Sequence, residues 1–149
     1  MVDYEKDYFT KGTELGGYMG YCDFPQHTNR VKKLIEMASS KSVLDMGCAY
    51  GFIVRRLLDM GIEAHDIDIS EWCQEQAKIL IPDHFTRCDI RRRLPFEYKQ
   101  FDLLYYEGVL EHIEDEYIMD VMREFERVAH ERILQVSFDT APSSKDTLG

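Results

Sequence analysis

The side chains in this sequence best suited to chemistry are acids that fall where short apolar runs end. Asp45 closes Val43-Leu44 in VLDMGCAYGF, and Gly47 and Gly51 follow it. Asp66 and Asp68 close IEAHDID, Asp89 follows HFTRC, and Glu107 closes FDLLYY, with Glu111 and His112 just beyond. A carboxylate at such an edge repels phosphate and suits a cation. Another can take both hydroxyls of a ribose with its two oxygens, as Asp68 would. Asp89 can accept from an exocyclic amine, with Ile90 against a flat ring. His112 can serve as a general base. Gly47 permits a tight turn that exposes backbone, and Gly51 opens a helix whose free N–H groups attract negative charge. Taken singly, each has a plainer explanation: Asp68 a loop or capping acid, Asp89 a turn acid, His112 a polar helix start. Taken together, they describe a ligand with a cation, a ribose and an aminated ring.

The elements that carry these residues alternate. The spacing predicts strands at KSVLDMG, IEAHDIDIS, HFTRCD, FDLLYYEG and RILQVSF. It predicts helices at GFIVRRLLDM, from a Ser70 cap to about Pro82, and from Glu114 to Ala129, where Ile118, Val121, Met122, Phe125 and Val128 form one stripe. An earlier helix, capped by Thr28 or Asn29, carries Val31, Leu34, Ile35 and Ala38. Strands alternating with helices make a parallel sheet with helices on both faces, and such sheets bind ligands beyond the carboxyl ends of their strands. Residues 1–27 read as irregular but too aromatic for a disordered tail, so they are expected to lie over a core edge or a ligand.

At 149 residues and 44% hydrophobic content the chain is sized for one domain. A formal charge of -10 disfavours nucleic acid. Arg91-Arg92-Arg93 read as a solvated turn. No apolar run is long enough for a membrane span, and MVDYEKDYF is unlike a secretory or transit leader, so the expected compartment is the cytoplasm. The four cysteines form no CxxC pair and have no histidine at zinc-ligand spacing; no metal site is expected, and the thiols are expected to be reduced and mostly buried. The glycine loop is not a nicotinamide fingerprint, because Ala49 and Phe52 stand where GxGxxG needs glycine, and no Gly-Lys-Ser/Thr follows it. An oxidoreductase is therefore disfavoured. Asp68, 21 residues past Gly47, matches the spacing of the ribose acid in dinucleotide folds.

These motifs in order resemble the class I S-adenosylmethionine-dependent methyltransferases. VLDMGCAYGF looks like their first motif, acid-x-Gly-x-x-x-Gly, and HDIDIS like the end of their second strand. CDIRRRLPFEYKQFDLLYYEGVLEHI is similar to the third and fourth motifs of small-molecule members, including the LPF turn and the VLEH ending. The likeness runs from about Ser42 to Ile113. It implies a Rossmann-like sheet of order 3-2-1-4-5, S-adenosylmethionine as cofactor and S-adenosylhomocysteine as product. It places Asp45, Gly47, Cys48, Ala49 and Gly51 around the methionine part, Asp68 and Ile69 at ribose and adenine edge, Asp89 and Ile90 at adenine, and Tyr106 and Glu107 at the methionine end. His112 or Glu111 would be the base if the acceptor loses a proton. Two departures stand out. VAHERILQVSF lacks the proline-glycine-glycine turn before the fifth strand, and the sequence lacks the last two strands of the full fold. The expected organisation is one domain over residues 1–149: a cap segment and helix (1–40), a core (41–138) and a polar tail (139–149). An open fifth-strand edge invites pairing with a second copy of the chain. The function implied is methyl transfer to a small-molecule acceptor, with the N-terminal tyrosines closing over the site. The alternative is an inactive S-adenosylmethionine-binding module that serves as a partner subunit or sensor.

Overall fold

The run at Val43-Leu44 becomes the middle of a five-stranded parallel sheet. The structure, a computed structural model, describes residues 4–12, 17–37, 41–47 and 49–135. Cys48 and the expected polar tail lie outside the described residues. The strands are β1 (Ser42–Met46), β2 (Glu63–Asp68), β3 (Phe85–Arg87), β4 (Phe101–Glu107) and β5 (Ala129–Gln135), in spatial order β3-β2-β1-β4-β5. The helices are α1 (Lys6–Thr10), α2 (Pro25–Met37), α3 (Phe52–Asp59), α4 (Glu71–Leu80) and α5 (Asp115–Val128), with a 3-10 turn at Leu110–His112.

Strand alternation divides the core in two. Val43, Ala64, Leu103 and Tyr105 face Val31 and Leu34 of α2, Ile53, Val54 and Leu57 of α3, and Ala77 of α4. Leu44, Met46, Ile67, Leu104 and Tyr106 face Val121, Phe125 and Val128 of α5. Helices cover both faces, as the alternation of elements requires. Ser70 caps α4 as expected, its Oγ accepting from the Cys73 N–H at 3.1 Å.

Three boundaries differ from the sequence reading. Residues 6–10 form a short helix, because Phe9 is buried among Tyr18, Tyr21 and Tyr50. Helix α2 begins at Pro25, not at a Thr28 or Asn29 cap; proline suits the first helical position, where its missing N–H has no partner to lose. Strand β5 starts at Ala129, straight out of α5, through a cap residue that is already extended. Its exposed His130 and Glu131, which precede the expected RILQVSF strand, are with Arg132 the polar and charged residues an outer strand carries. Of the described cysteines, Cys73 is buried, Cys88 partly so and Cys22 exposed.

Candidate functional site

The register brings the acids into one row. Asp45 of β1 pairs with Asp66 of β2 on one side and Tyr105 of β4 on the other, so all three share a face. Asp68 and Glu107 lie two residues further along β2 and β4 on the same face, at the strand ends. Asp66 and Asp68 are both buried, and burying two acids on one side is costly. The cost is visible electrostatically. Burial pushes the Asp68 carboxyl up to about 6, with N–H bonds to its ionised form opposing. Asp45, 2% exposed, is pushed up to about 8 by burial, then by Glu107, while Arg30 opposes. The Oδ2 of Asp45 is buried with no hydrogen-bond partner among the described residues.

The loop between β1 and α3 folds around these acids. Asp68 Oδ2 accepts from the Ala49 N–H at 3.2 Å and Oδ1 from the Ser70 N–H at 2.9 Å, so Asp68 holds this loop and the start of α4 together. Ala49 pays for that grip with a left-handed φ of 60°. Gly47 and Gly51 are also left-handed, at φ 73° and 87°. A Cβ on Gly47 would come within 2.3 Å of Val109, and one on Gly51 within 2.4 Å of Ile81. Both glycines are thus demanded by the protein's own packing, beyond the access to backbone that their spacing predicted.

The N-terminal segment lies over these strand ends. Glu5 accepts from the N–H groups of Glu71 at 3.0 Å and Trp72 at 2.8 Å, capping α4 from outside. Tyr4 packs edge-on against Tyr8 and against His112, at centroid distances of 5.1 and 5.3 Å. Burial raises the Tyr4 phenol, and Glu111, Glu114 and Asp68 raise it further. Burial raises Tyr8 to about 12, with Tyr18, Tyr4, Glu111 and Asp68 adding. Beneath them, Arg30 of α2 donates to Glu107 Oε1 at 2.7 Å, and the Tyr105 hydroxyl donates to Oε2 at 2.7 Å.

The predicted residues divide accordingly. Asp45, Gly47, Ala49, Gly51, Asp68 and Glu107 come together, and Cys48 lies outside the described residues. Ile69 follows them, 42% exposed. Glu111 and His112 stand exposed at the rim. Asp89 is not open to an amine as expected: both its oxygens are taken by the Arg91 guanidinium at 2.9 Å. That guanidinium also reaches Glu114, so Arg91 is an anchored ion-pair residue and not part of a solvated turn. Ile90 is buried with Leu94 and Phe101, and Tyr106 packs edge-on against Phe125 at 5.0 Å, because its strand phase points it at α5. The sequence reading missed Arg30, Glu5 and Tyr105. Only Arg30 left a signal, a charged residue on the stripe His27, Val31, Leu34. Among the described residues no group of acids, histidines and cysteines could hold a metal ion, and no helix is long and apolar enough to cross a membrane.

Residues 44–132 match the model of a family described as a methyltransferase domain. The chain belongs to that family. Its members are the class I S-adenosylmethionine-dependent methyltransferases, and S-adenosylmethionine is the cofactor of this methyltransferase domain. The domain is similar to a crystal structure of a protein from Pyrococcus horikoshii, at 26% identity and TM-score 0.60, over 72% of this chain and 55% of that one. It is also similar to a putative S-adenosylmethionine-dependent methyltransferase from Methanococcus maripaludis (19%, 0.65, 76% and 57%) and to an S-adenosylmethionine-dependent methyltransferase from Aquifex aeolicus (21%, 0.58, 72% and 63%). The last two likenesses carry the fold alone. The methyltransferase domain thus spans between half and two-thirds of the length of each of these structures. No curated protein sequence matches it significantly.

Proposed function

We propose that the protein is a cytoplasmic methyltransferase that passes the methyl group of S-adenosylmethionine to a small-molecule acceptor. The observation that carries this reading is the row of buried acids under the tyrosine roof, with one oxygen of Asp45 left without a partner. A buried carboxylate in that state fits a cation and would reject a phosphate. Asp68 accepts the Ala49 N–H on one oxygen and the Ser70 N–H on the other, and a carboxylate's four lone-pair sites leave room for a ribose hydroxyl as well.

When bound, the cofactor supplies a methyl carbon that its sulfonium already makes electrophilic. The protein's share is placement and the exclusion of water. Asp45, with the backbone of Gly47, Ala49 and Gly51 around it, takes the cationic amino-acid end. Asp68 takes the ribose, with Ile69 beside it. Tyr4 and Tyr8 close the cleft from above. Glu111 and His112, at the rim beside Tyr4, receive the proton of an acceptor that must lose one. We assign Asp89 and Tyr106 no contact with the cofactor through their side chains.

The test is calorimetry with S-adenosylhomocysteine on the wild type and on Asp68→Ala. Binding by the wild type, weakened roughly tenfold or more in the variant, supports the reading. No binding by the wild type overturns it. Turnover against a panel of small acceptors then separates an enzyme from a binding-only module.

A further inference from the structure

We infer that the acceptor is an amine, received as its ammonium ion between the tyrosine roof of Tyr4 and Tyr8 and the carboxylate of Glu111. This rests on the function proposed above and names the substrate class of that site.

The contacts that build the place run from the N-terminal segment to the end of β4. Tyr4 meets the His112 ring edge-on at 5.3 Å and the Tyr8 ring at 5.1 Å, and Tyr8 meets Tyr18 at 5.9 Å. Glu111 shares the 3-10 turn with His112 and folds back toward β4: its Oε1 lies 3.4 Å from where a Cβ on Gly108 would stand. The Glu111 carboxylate and the hydroxyls of Tyr4 and Tyr8 make no hydrogen bond among the described residues.

The charge around these rings has one sign. The groups that raise the Tyr4 phenol beyond burial are Glu111, Glu114 and Asp68. The arginines nearby are already engaged, Arg91 by Asp89 and Glu114 and Arg30 by Glu107, and the Lys6 ammonium sits over the Trp72 ring at 5.1 Å. An anionic acceptor would be repelled here, and a neutral alcohol would gain nothing from the carboxylate. An ammonium gains from both the carboxylate and the negative faces of the rings. Its methylated product is still an ammonium and keeps that match. A roof that only excluded water would need the rings but not a carboxylate without a partner, and would make no distinction by charge. For transfer, the ammonium loses its N–H proton through the Glu111 carboxylate to water. The freed lone pair forms the N–CH3 bond, and the electrons of the broken S–CH3 bond stay on sulfur.

Three probes of one shape separate the charges: choline, 3,3-dimethyl-1-butanol and 3,3-dimethylbutanoate, each titrated calorimetrically into protein saturated with S-adenosylhomocysteine. Wild type is expected to bind choline roughly tenfold or more tighter than the neutral alcohol, and the acid least. Tyr4→Leu, which keeps apolar bulk, is expected to weaken choline roughly 3- to 30-fold while leaving the alcohol within about twofold. Glu111→Gln, an exposed change that leaves the fold intact, is expected to weaken choline about two- to fivefold. Both variants must still bind S-adenosylhomocysteine, which shows that they are folded. Equal affinity for the three probes, preference for the acid, no binding of any probe, or a choline affinity that neither variant changes overturns the inference and leaves the proposed function standing. Failure of the wild type to bind S-adenosylhomocysteine overturns both.

Discussion

Replacing Asp45 with asparagine tests the electrostatic state of the cleft directly. The carboxyl is 2% exposed and pushed up to about 8 by burial and by Glu107. An acid whose folded value is raised holds its proton more tightly in the native state than in the unfolded chain. Its contribution to stability is therefore fully present below the unfolded value near pH 4, and is lost as pH rises through the folded value. The slope is about 1.4 kcal/mol per pH unit for one such group, so the wild type is expected to lose about 2 kcal/mol between about pH 6 and about pH 8 from Asp45 alone. Asp68, raised to about 6, adds a few tenths over the same interval. Asp45→Asn keeps the shape and removes the titration. Urea unfolding of both proteins at the two pH values isolates the difference, because every other carboxylate is common to them. Parallel pH dependences would mean that Asp45 is hydrated or paired in solution, and the account of the cleft as a cation site waiting for its ligand would fail. The same protonation state predicts that S-adenosylhomocysteine binding at about pH 7 releases close to one proton, read from the dependence of the calorimetric heat on buffer ionisation.

Two further substitutions probe the scaffold. Glu5→Ala removes the outside cap of α4 and is expected to cost about 1 kcal/mol in denaturant unfolding, with faster hydrogen exchange across residues 4–12; unchanged exchange would separate the N-terminal segment from α4. Gly51→Ala sets a Cβ 2.4 Å from Ile81 at φ 87° and is expected to cost about 2 kcal/mol or more, while Gly61→Ala, with φ 77° but open space around it, should cost about 1 kcal/mol.

The strands and the acids at their ends were legible because each strand announces itself with an apolar run and each acid interrupts one; the spatial order came from the family resemblance. The phase of β4 was not. FDLLYYE is apolar on both faces, so nothing within it says whether Tyr105 or Tyr106 faces the cleft. Only pairing with Asp45 decides, and that is a contact between strands. Arg30 was hidden for a related reason: its partner Glu107 is 77 residues away, and a charged residue on a helical stripe reads as a snorkelling surface residue until the sheet edge it meets is known. The start of β5 was obscured by its composition. His130 and Glu131 are poor strand formers on propensity, but β4 pairs with the strand and solvent accepts the polar side chains.

The division of labour between the two parts of the chain has a physical consequence. The span that matches the family supplies the acids: Asp45, Asp66, Asp68 and Glu107 all belong to it. The opposing charge and the roof come from residues before it, Arg30 from α2 and Tyr4, Tyr8 and Tyr18 from the segment that Glu5 fastens to α4. A row of buried acids is costly to hold without a cation nearby. Within the described residues Arg30 lessens that cost at Asp45 only in part, which leaves the remainder for a ligand to relieve. Binding at the row and closure of the N-terminal segment are then thermodynamically linked, because closure buries the same carboxylates that the ligand neutralises. A cation that pairs with Asp45 favours the covered state of these acids, and by reciprocity the covered state holds that cation more tightly by the same factor.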